Sequence, residues 1–578
     1  MAGPTAPKDP EKARPFFYIL KDKDIFGERQ KDGTGIQFIY ESDGRLINSA
    51  QITGNVTDKE ELTLLETVEG FGRLVHSIGV SVETDRPEET AEFVFQMYGK
   101  KDLYGGGTNL TTSLKCDGME HRIYLSDYRW TEDDHVPGQI KILFAAPERM
   151  GKVSVRLFLN DGYEAPPEEE DLVIDMHSEE YCGMISRSLL QLGNPYRIRK
   201  AIEKSKAGKE VTLAYIGGSV TQGAGATPIH TECYAYKSFQ LFQNRFSTQN
   251  NVRFIKAGVG GTPSELGMIR FDRDVLREGE RPDIVVIEFA VNDEGDETKG
   301  VCYESLVRKV LKLPWKPAVV LLFSVFANDW NLQERLRPVG DLYDLPMVSI
   351  RDAVTPQFSL KCSEGRILSK NQFFYDIFHP NNTGHTIMAD CLQYLFERCD
   401  AAEPARVGTF VEGMTEEQIL SEKLFGPAVI GADFERIFLL DKKNRYVGAK
   451  IRAGSFTSTD IELQSVEMDG NLTQTPEFPY NWMYDGSRPQ MPGFEMEITC
   501  KSLFLIFKDS GEMDVGKANV FVNDVYCMTA DPHKNNWLHC NAVLLFWETE
   551  SRSHKVRITV TEEDRNKKFT ILGFGYTI

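Results

Sequence analysis

The chain has 578 residues, too many for one ordinary hydrophobic core, so about three domains are expected. Hydrophobic residues make up 41% and charged residues 26%, the balance of a folded globular protein rather than a disordered or membrane-embedded one. A net charge of −20 disfavours nucleic acid and anionic membranes as partners and suits neutral substrates.

The first 17 residues, MAGPTAPKDPEKARPFF, are polar and proline-rich and lack the apolar core of a secretory leader. No later window reaches the ~18 consecutive apolar residues of a membrane span. Ten cysteines without a C-x-x-C pair suit reduced thiols, so a cytoplasmic protein is expected, with neither a disulfide framework nor a zinc site.

Residues 15–175 read as β-rich. The runs 36–40 (IQFIY), 73–82 (RLVHSIGVSV), 92–98 (EFVFQMY), 140–144 (IKILF) and 153–159 (VSVRLFL) place β-branched and aromatic residues between turn formers. In the last, Val153, Val155, Leu157 and Leu159 share one face. An N-terminal β-sandwich with its linker over residues 1–192 is the expectation, with no catalytic constellation in it.

Asn194 and Pro195 suit the start of a boundary helix, and Gly208 suits its end. From 193 to 400 the pattern alternates between continuously apolar strands and helices. The strands are 211–216, 252–257, 283–289, 318–326 and 346–350, and the last helix spans 382–399. Such alternation predicts a three-layer α/β domain with a parallel sheet covered on both faces. Residues 401–578 return to strand-like runs at 447–451, 494–498, 502–507, 520–522, 542–546, 555–560 and 569–574, which predict a C-terminal β-sandwich.

The chemistry concentrates at strand ends, where open α/β sheets bind their ligands. The stretch 211–225, VTLAYIGGSVTQGAG, is a buried strand that stops at Gly217 and Gly218 and presents Ser219 at a helix start. A phosphate-binding loop has the same outline, but no Gly-Lys-Ser/Thr follows and G-x-G-x-x-G is absent. The G-x-S-x-G elbow of α/β-hydrolases is absent too. The next strands lead into KAGVGGTPSELG (256–267) with Gly260 and Gly261, and into AVND (290–293) with Asn292 and Asp293. The last loop, YDIFHPN (375–381), carries Asp376 three residues before His379. Ser219 is the candidate nucleophile and His379 the candidate base and acid, with Asp376 orienting the imidazole. The N–H groups of Ser219 and Gly261 and the Asn292 amide could form a three-donor oxyanion hole.

With these four blocks in order, residues 210–400 resemble the SGNH, or GDSL-type, esterase and acylhydrolase superfamily. Its four marker residues match Ser219, Gly261, Asn292 and His379, and its D-x-x-H-P block stands intact at Asp376 to Pro380. Two positions depart from the pattern: Gly218 replaces the usual aspartate, and Ala290 replaces the glycine before Asn292. The resemblance implies an SGNH-hydrolase core that forms an acyl-serine and needs no metal or organic cofactor.

Among other residues, His385 is expected to be structural and Asp293 to brace its loop. The run PPEEEDL (166–172) reads as a solvated acidic face. Trp330, in FANDWN (326–331), should lie near the serine's sheet edge, where stacking on a sugar and burial under a helix are both open. Trp482 and Tyr484, beside Tyr480, sit in an aromatic turn region that could contact carbohydrate or plug a sandwich end. Trp537 and His539 are weaker versions of the same case.

By analogy with multidomain members of the superfamily, the expected activity is removal of O-acetyl groups from plant-type oligosaccharides, acetylated xylo-oligosaccharides being the first guess. The rivals are a thioesterase, lysophospholipase or other short-acyl esterase, and a carbohydrate-binding protein with a silent hydrolase core. The expected partner is an acetylated oligosaccharide, without nucleic acid or membrane, and a homo-oligomer remains open.

Overall fold

The computed structural model describes residues 12–39, 45–102, 105–277, 279–402, 416–471, 473–487 and 492–578. Most of the proline-rich N-terminus, Tyr40 at the end of the run 36–40, and residues 403–415 at the start of the expected C-terminal sandwich lie outside them. Among the described residues no helix is long and apolar enough to cross a membrane.

Two antiparallel sheets build the N-terminal region. One has four strands, in the order Phe16–Phe26, Met150–Leu159, Val75–Thr84 and His121–Tyr124. The other has five, in the order Glu28–Arg29, Gly35–Ile39, Asp134–Phe144, Thr90–Gly99 and Asn109–Lys115. Val153, Val155, Leu157 and Leu159 of the first share a core with Phe93, Phe95, Ile140 and Ile142 of the second. This is the face read from alternation in the sequence.

Three helices here escaped that reading: Arg45–Thr53, Lys59–Leu64 and Val68–Leu74. Thr67 caps the third by accepting the Gly70 N–H at 3.0 Å, so residues 73 and 74 are helical and the strand begins at Val75.

The α/β region holds a six-stranded sheet: β1 (Leu189–Gln191), β2 (Val211–Gly217), β3 (Val252–Gly258), β4 (Ile284–Glu288), β5 (Ala318–Phe323) and β6 (Met347–Ser349). Their spatial order is β1-β6-β5-β4-β2-β3; β2 to β6 are parallel, and β1 runs antiparallel to β6. Side-chain alternation along β2 defines the layers. Leu213 and Tyr215 face helices Tyr234–Phe246 and Asn382–Ala401, whereas Ala214 and Ile216 face Ser264–Phe271 and Val301–Leu311.

The C-terminal region is dominated by an eight-stranded antiparallel sheet, with a separate two-stranded ribbon beside it. The predicted strands 494–498 and 502–507 belong to one strand, Phe494–Asp509, and 542–546 and 555–560 to another, His539–Val560. Register shifts after Cys500 and Leu503 mark bulges, which bend a long strand rather than end it. Phe494, Met496 and Ile498 before the bulges and Leu503 and Leu505 after them share one core. The opposite face presents Phe504, Ile506 and Leu572 to Met268, Ile269 and Phe271 of the α/β layer, so the two regions share apolar packing.

Candidate active site

Strand β2 delivers Ser219 through two glycines that the packing requires. A Cβ on Gly217 would lie 2.2 Å from Thr221 Oγ1 and 2.5 Å from the Glu288 carbonyl. A Cβ on Gly218 would lie 2.2 Å from Asn292 Oδ1. The aspartate usual at position 218 therefore has no room here, because the Asn292 carboxamide packs directly against that backbone.

The last loop brings the remaining pair to the serine. Asp376 Oδ1 accepts the N–H groups of Phe378 (2.8 Å) and His379 (2.9 Å), which leaves Oδ2 for His379 Nδ1 at 2.9 Å. His379 Nε2 lies 2.9 Å from Ser219 Oγ. With Nδ1–H donated to the carboxylate, Nε2 is the nitrogen able to accept the serine proton. The loop after β3 runs alongside: a Cβ on Gly260 would lie 3.9 Å from Ser219 Cβ, and Gly261 takes a left-handed conformation with φ +69°. The structure thus gathers Ser219, His379, Asp376 and Asn292 around one point, with the Gly260–Gly261 turn beside it.

Buried charges support these strand ends, and of them the sequence announces only Asp293, as the brace of its loop. Arg270 donates to the carbonyls of Gly217 (2.8 Å) and Ala257 (2.7 Å) and pairs with Asp274 at 3.0 Å. Lys256 Nζ donates to the Gln222 carbonyl at 3.0 Å, at the end of the turn that carries Ser219. Asp293 Oδ1 accepts the Ser264 N–H at 2.7 Å, joining the Asn292 loop to the Gly261 loop. Glu288 lies beneath the serine and accepts the Thr221 hydroxyl at 3.1 Å; Thr221 in turn meets Tyr234 Oη at 2.8 Å. Burial pushes the Glu288 pKa up to about 7. The signal for Lys256 and Glu288 was a charge inside an otherwise apolar strand, which buried parallel strands exclude unless the charge is partnered.

The N-terminal region also reaches this loop. Buried Lys23 donates to the carbonyls of Phe374 and Asn371, just ahead of Asp376. Of the acidic residues of 166–172, Glu168 and Glu170 are exposed, as expected of a solvated face, but the run also makes ion pairs across a junction. Glu168 pairs with Lys21, and Glu169 and Asp171 pair with Arg366, at the junction of the N-terminal and α/β regions.

His385 is structural: Nδ1 accepts the Tyr234 N–H and Nε2–H donates to the Ala224 carbonyl, both at 3.1 Å. Burial lowers its pKa to about 3, so the ring is neutral. Among the described residues no group of three or more His, Cys, Asp or Glu side chains is placed to hold a metal ion.

The aromatic candidates separate. Trp482 and Tyr484 are only 5% and 4% exposed and pack with Phe494 and Phe456 inside the C-terminal core, so they plug the sheet and offer no surface to a substrate. Their aromatic character reflects core packing, not recognition. Trp330 is half-buried and stacks on Phe326 at 5.7 Å; Phe326 in turn packs against Phe378, the neighbour of His379. Trp537, ranked below these in the sequence, is 43% exposed and lies over Gly261, where a Cβ would approach its ring to 2.7 Å. It stacks on His539 with ring centres 4.5 Å apart. Nearby, Gln464 Nε2 donates to the Gly260 carbonyl at 3.0 Å, while Oε1 accepts the Cys540 N–H at 3.1 Å. The C-terminal region therefore forms part of the wall beside the serine.

Residues 215–387 match the GDSL-like Lipase/Acylhydrolase family, a span that includes Ser219, Gly261, Asn292, Asp376 and His379. Among solved structures, the chain is similar to a two-domain esterase (CEX) active on acetylated mannans and co-crystallised with mannopentaose. The identity is 23% and the TM-score 0.54, with 68% of this chain and 98% of that one covered. A second structure of a two-domain CEX esterase active on acetylated mannans gives 23% identity and a TM-score of 0.55 over the same shares. At this identity the likeness is one of fold. No curated protein sequence matches the chain.

Proposed function

We propose that the GDSL-like hydrolase domain at residues 215–387 makes this chain a serine esterase that removes O-acetyl groups from neutral oligosaccharides. The observation that carries the reading is the continuous relay from Asp376 through His379 to Ser219, with both links at 2.9 Å. His379 Nε2 takes the serine proton as Ser219 Oγ bonds to the acetyl carbon, and the carbonyl oxygen becomes an oxyanion. The N–H groups of Ser219 and Gly261 and the Asn292 amide stabilise that charge. Collapse of the intermediate expels the sugar hydroxyl, to which His379 returns the proton, and leaves an acetyl-serine. Water activated by the same imidazole then releases acetate and restores Ser219.

Three observations favour a sugar as the alcohol half. Trp537 offers a half-exposed ring beside Gly261, of the kind that stacks on a pyranose. The strong net negative charge suits a neutral ligand. The similar two-domain fold belongs to an esterase active on acetylated mannans. Acetylated manno-oligosaccharides therefore join acetylated xylo-oligosaccharides as substrates to test.

The test is acetate release from both acetylated series, with Ser219→Ala as control, alongside p-nitrophenyl esters of rising chain length. Release from the sugars that disappears in Ser219→Ala is expected. Preference for long acyl chains, or release that survives the substitution, would overturn the reading.

A further inference from the structure

A cavity of about 490 Å³ lies between the N-terminal and α/β regions, and neither Ser219 nor His379 lines it. Its size falls in the ~300–1,000 Å³ range of small-molecule sites. The N-terminal wall includes Tyr18, Asn48 and Gln51 of helix Arg45–Thr53, and Asn55; Phe326 and Phe378 belong to the opposite wall. We propose that this crevice is a distal subsite that holds non-reacting units of a neutral oligosaccharide whose acetylated unit sits at Ser219. The proposal rests on the reading of the chain as a sugar acetylesterase and adds to it where the rest of the substrate lies.

Charge decides the ligand class. Among the described residues, every lysine and arginine on the wall is already engaged: Lys21 with Glu168, Arg366 with Glu169, and Lys370 with Asp329 and the Ala327 carbonyl. A phosphate or carboxylate would have to break one of these pairs. In contrast, the side chains of Asn48, Gln51 and Asn55 have no hydrogen-bond partner among the described residues, and each carries an uncharged amide that can donate to and accept from sugar hydroxyls. Aromatic faces next to uncharged amides fit the apolar face and hydroxyl rim of a sugar.

Position links the crevice to the reaction. Phe378 lines it and is the residue before His379, with ring centres 6.1 Å apart; on its other side it packs against Phe326 at 5.0 Å. One aromatic side chain thus separates the crevice from the imidazole. The proposed path for the chain runs from Ser219 past Phe378 and the Phe326–Trp330 stack toward Asn48 and Gln51. Lys23, gripping the loop ahead of Asp376, holds the two walls in register. Binding energy collected this far from the ester can be used to place the reacting unit.

The experiment compares full-length protein with Gln51→Trp, which blocks the crevice from an exposed helix position, and with the milder Asn48→Ala/Gln51→Ala pair. The readout is the ratio of kcat/KM for an acetylated pentasaccharide to that for an acetylated monosaccharide. Calorimetric binding of mannopentaose and xylopentaose is measured in the Ser219→Ala background. A drop of at least fivefold in the ratio and in pentaose affinity for Gln51→Trp, with a smaller drop for the pair, is expected. An unchanged ratio in both variants, or pentaose binding insensitive to both, overturns the subsite. If no acetylated sugar is hydrolysed, the parent reading fails while calorimetry still decides the crevice: pentaose binding lost in Gln51→Trp keeps it as a sugar site, and no binding rejects it.

Discussion

The carboxamide of Asn292 occupies the space that a side chain on Gly218 would need, with Oδ1 2.2 Å from the position of a Cβ there. The glycine that departs from the family pattern and the asparagine that matches it are therefore one steric unit. Gly218→Asp, which restores the usual residue, should displace Asn292 and lower kcat on p-nitrophenyl acetate toward the level of Asn292→Ala. Loss of one oxyanion donor costs about 10²–10³-fold in kcat. The double variant should be little worse than either single one, and steady-state kinetics on the three proteins checks this.

Asp376 spends one oxygen on two backbone N–H groups and the other on His379, so it both shapes the loop and sets the tautomer. Asp376→Asn should keep the fold and lower kcat by about 10⁴-fold, as for other triads whose carboxylate becomes an amide. Ser219→Ala and His379→Ala should abolish measurable turnover. Circular dichroism together with kcat tests the separation of fold from rate.

Glu288 gives a pH signature in stability. Burial raises its pKa from the usual 4.5 to about 7, so the folded state binds more protons than the unfolded chain between those values. Stability attached to the protonated carboxyl is complete below pH 4.5, falls as pH rises, and is gone above pH 7. Glu288→Gln keeps the shape without the charge. Relative to the parent it should raise Tm at pH 8 and lose that advantage near pH 4.5; thermal melts at the two values decide it.

The C-terminal contacts should affect rate and substrate binding separately. Gln464→Ala leaves the Gly260 carbonyl and the Cys540 N–H without their partner, a cost of about 1–3 kcal/mol. It should also lower kcat by loosening the Gly261 turn, visible with p-nitrophenyl acetate and in denaturant unfolding.

Trp537→Ala should instead raise KM for acetylated oligosaccharides about 3–10-fold, the equivalent of one aromatic contact of ~0.5–1.5 kcal/mol. Trp537→Phe should recover most of the loss. Initial rates over a range of oligosaccharide concentrations distinguish the two variants.

The parallel sheet and the four strand-end blocks were legible in the sequence because buried strands are continuously apolar and their loops carry glycine, serine, asparagine or histidine at the carboxyl ends. What remained hidden depends on contacts across long sequence distances. Nothing near Trp537 announces that Gly261 lies under its ring, some 270 residues earlier in the chain. Trp482 and Trp537 look alike as sequence, but Trp482 lies in a strand packed into the core whereas Trp537 lies in the bend before the strand His539–Val560 and is exposed. Arg73 and Leu74, the last turn of the helix Val68–Leu74, read as strand because they run without a break into the β-branched residues from Val75 onward. Bulges were invisible as well, so single bent strands looked like pairs.

The apolar face shared by Ile269, Phe271, Phe504 and Leu572 bears on how the protein is made. The α/β layer is translated more than 200 residues before the strand that covers it. At roughly 5–20 residues per second, Phe271 waits on the order of tens of seconds for its cover. A fragment ending near residue 400 would keep that face bare for good, so the hydrolase segment should precipitate when expressed alone and is no minimal enzyme.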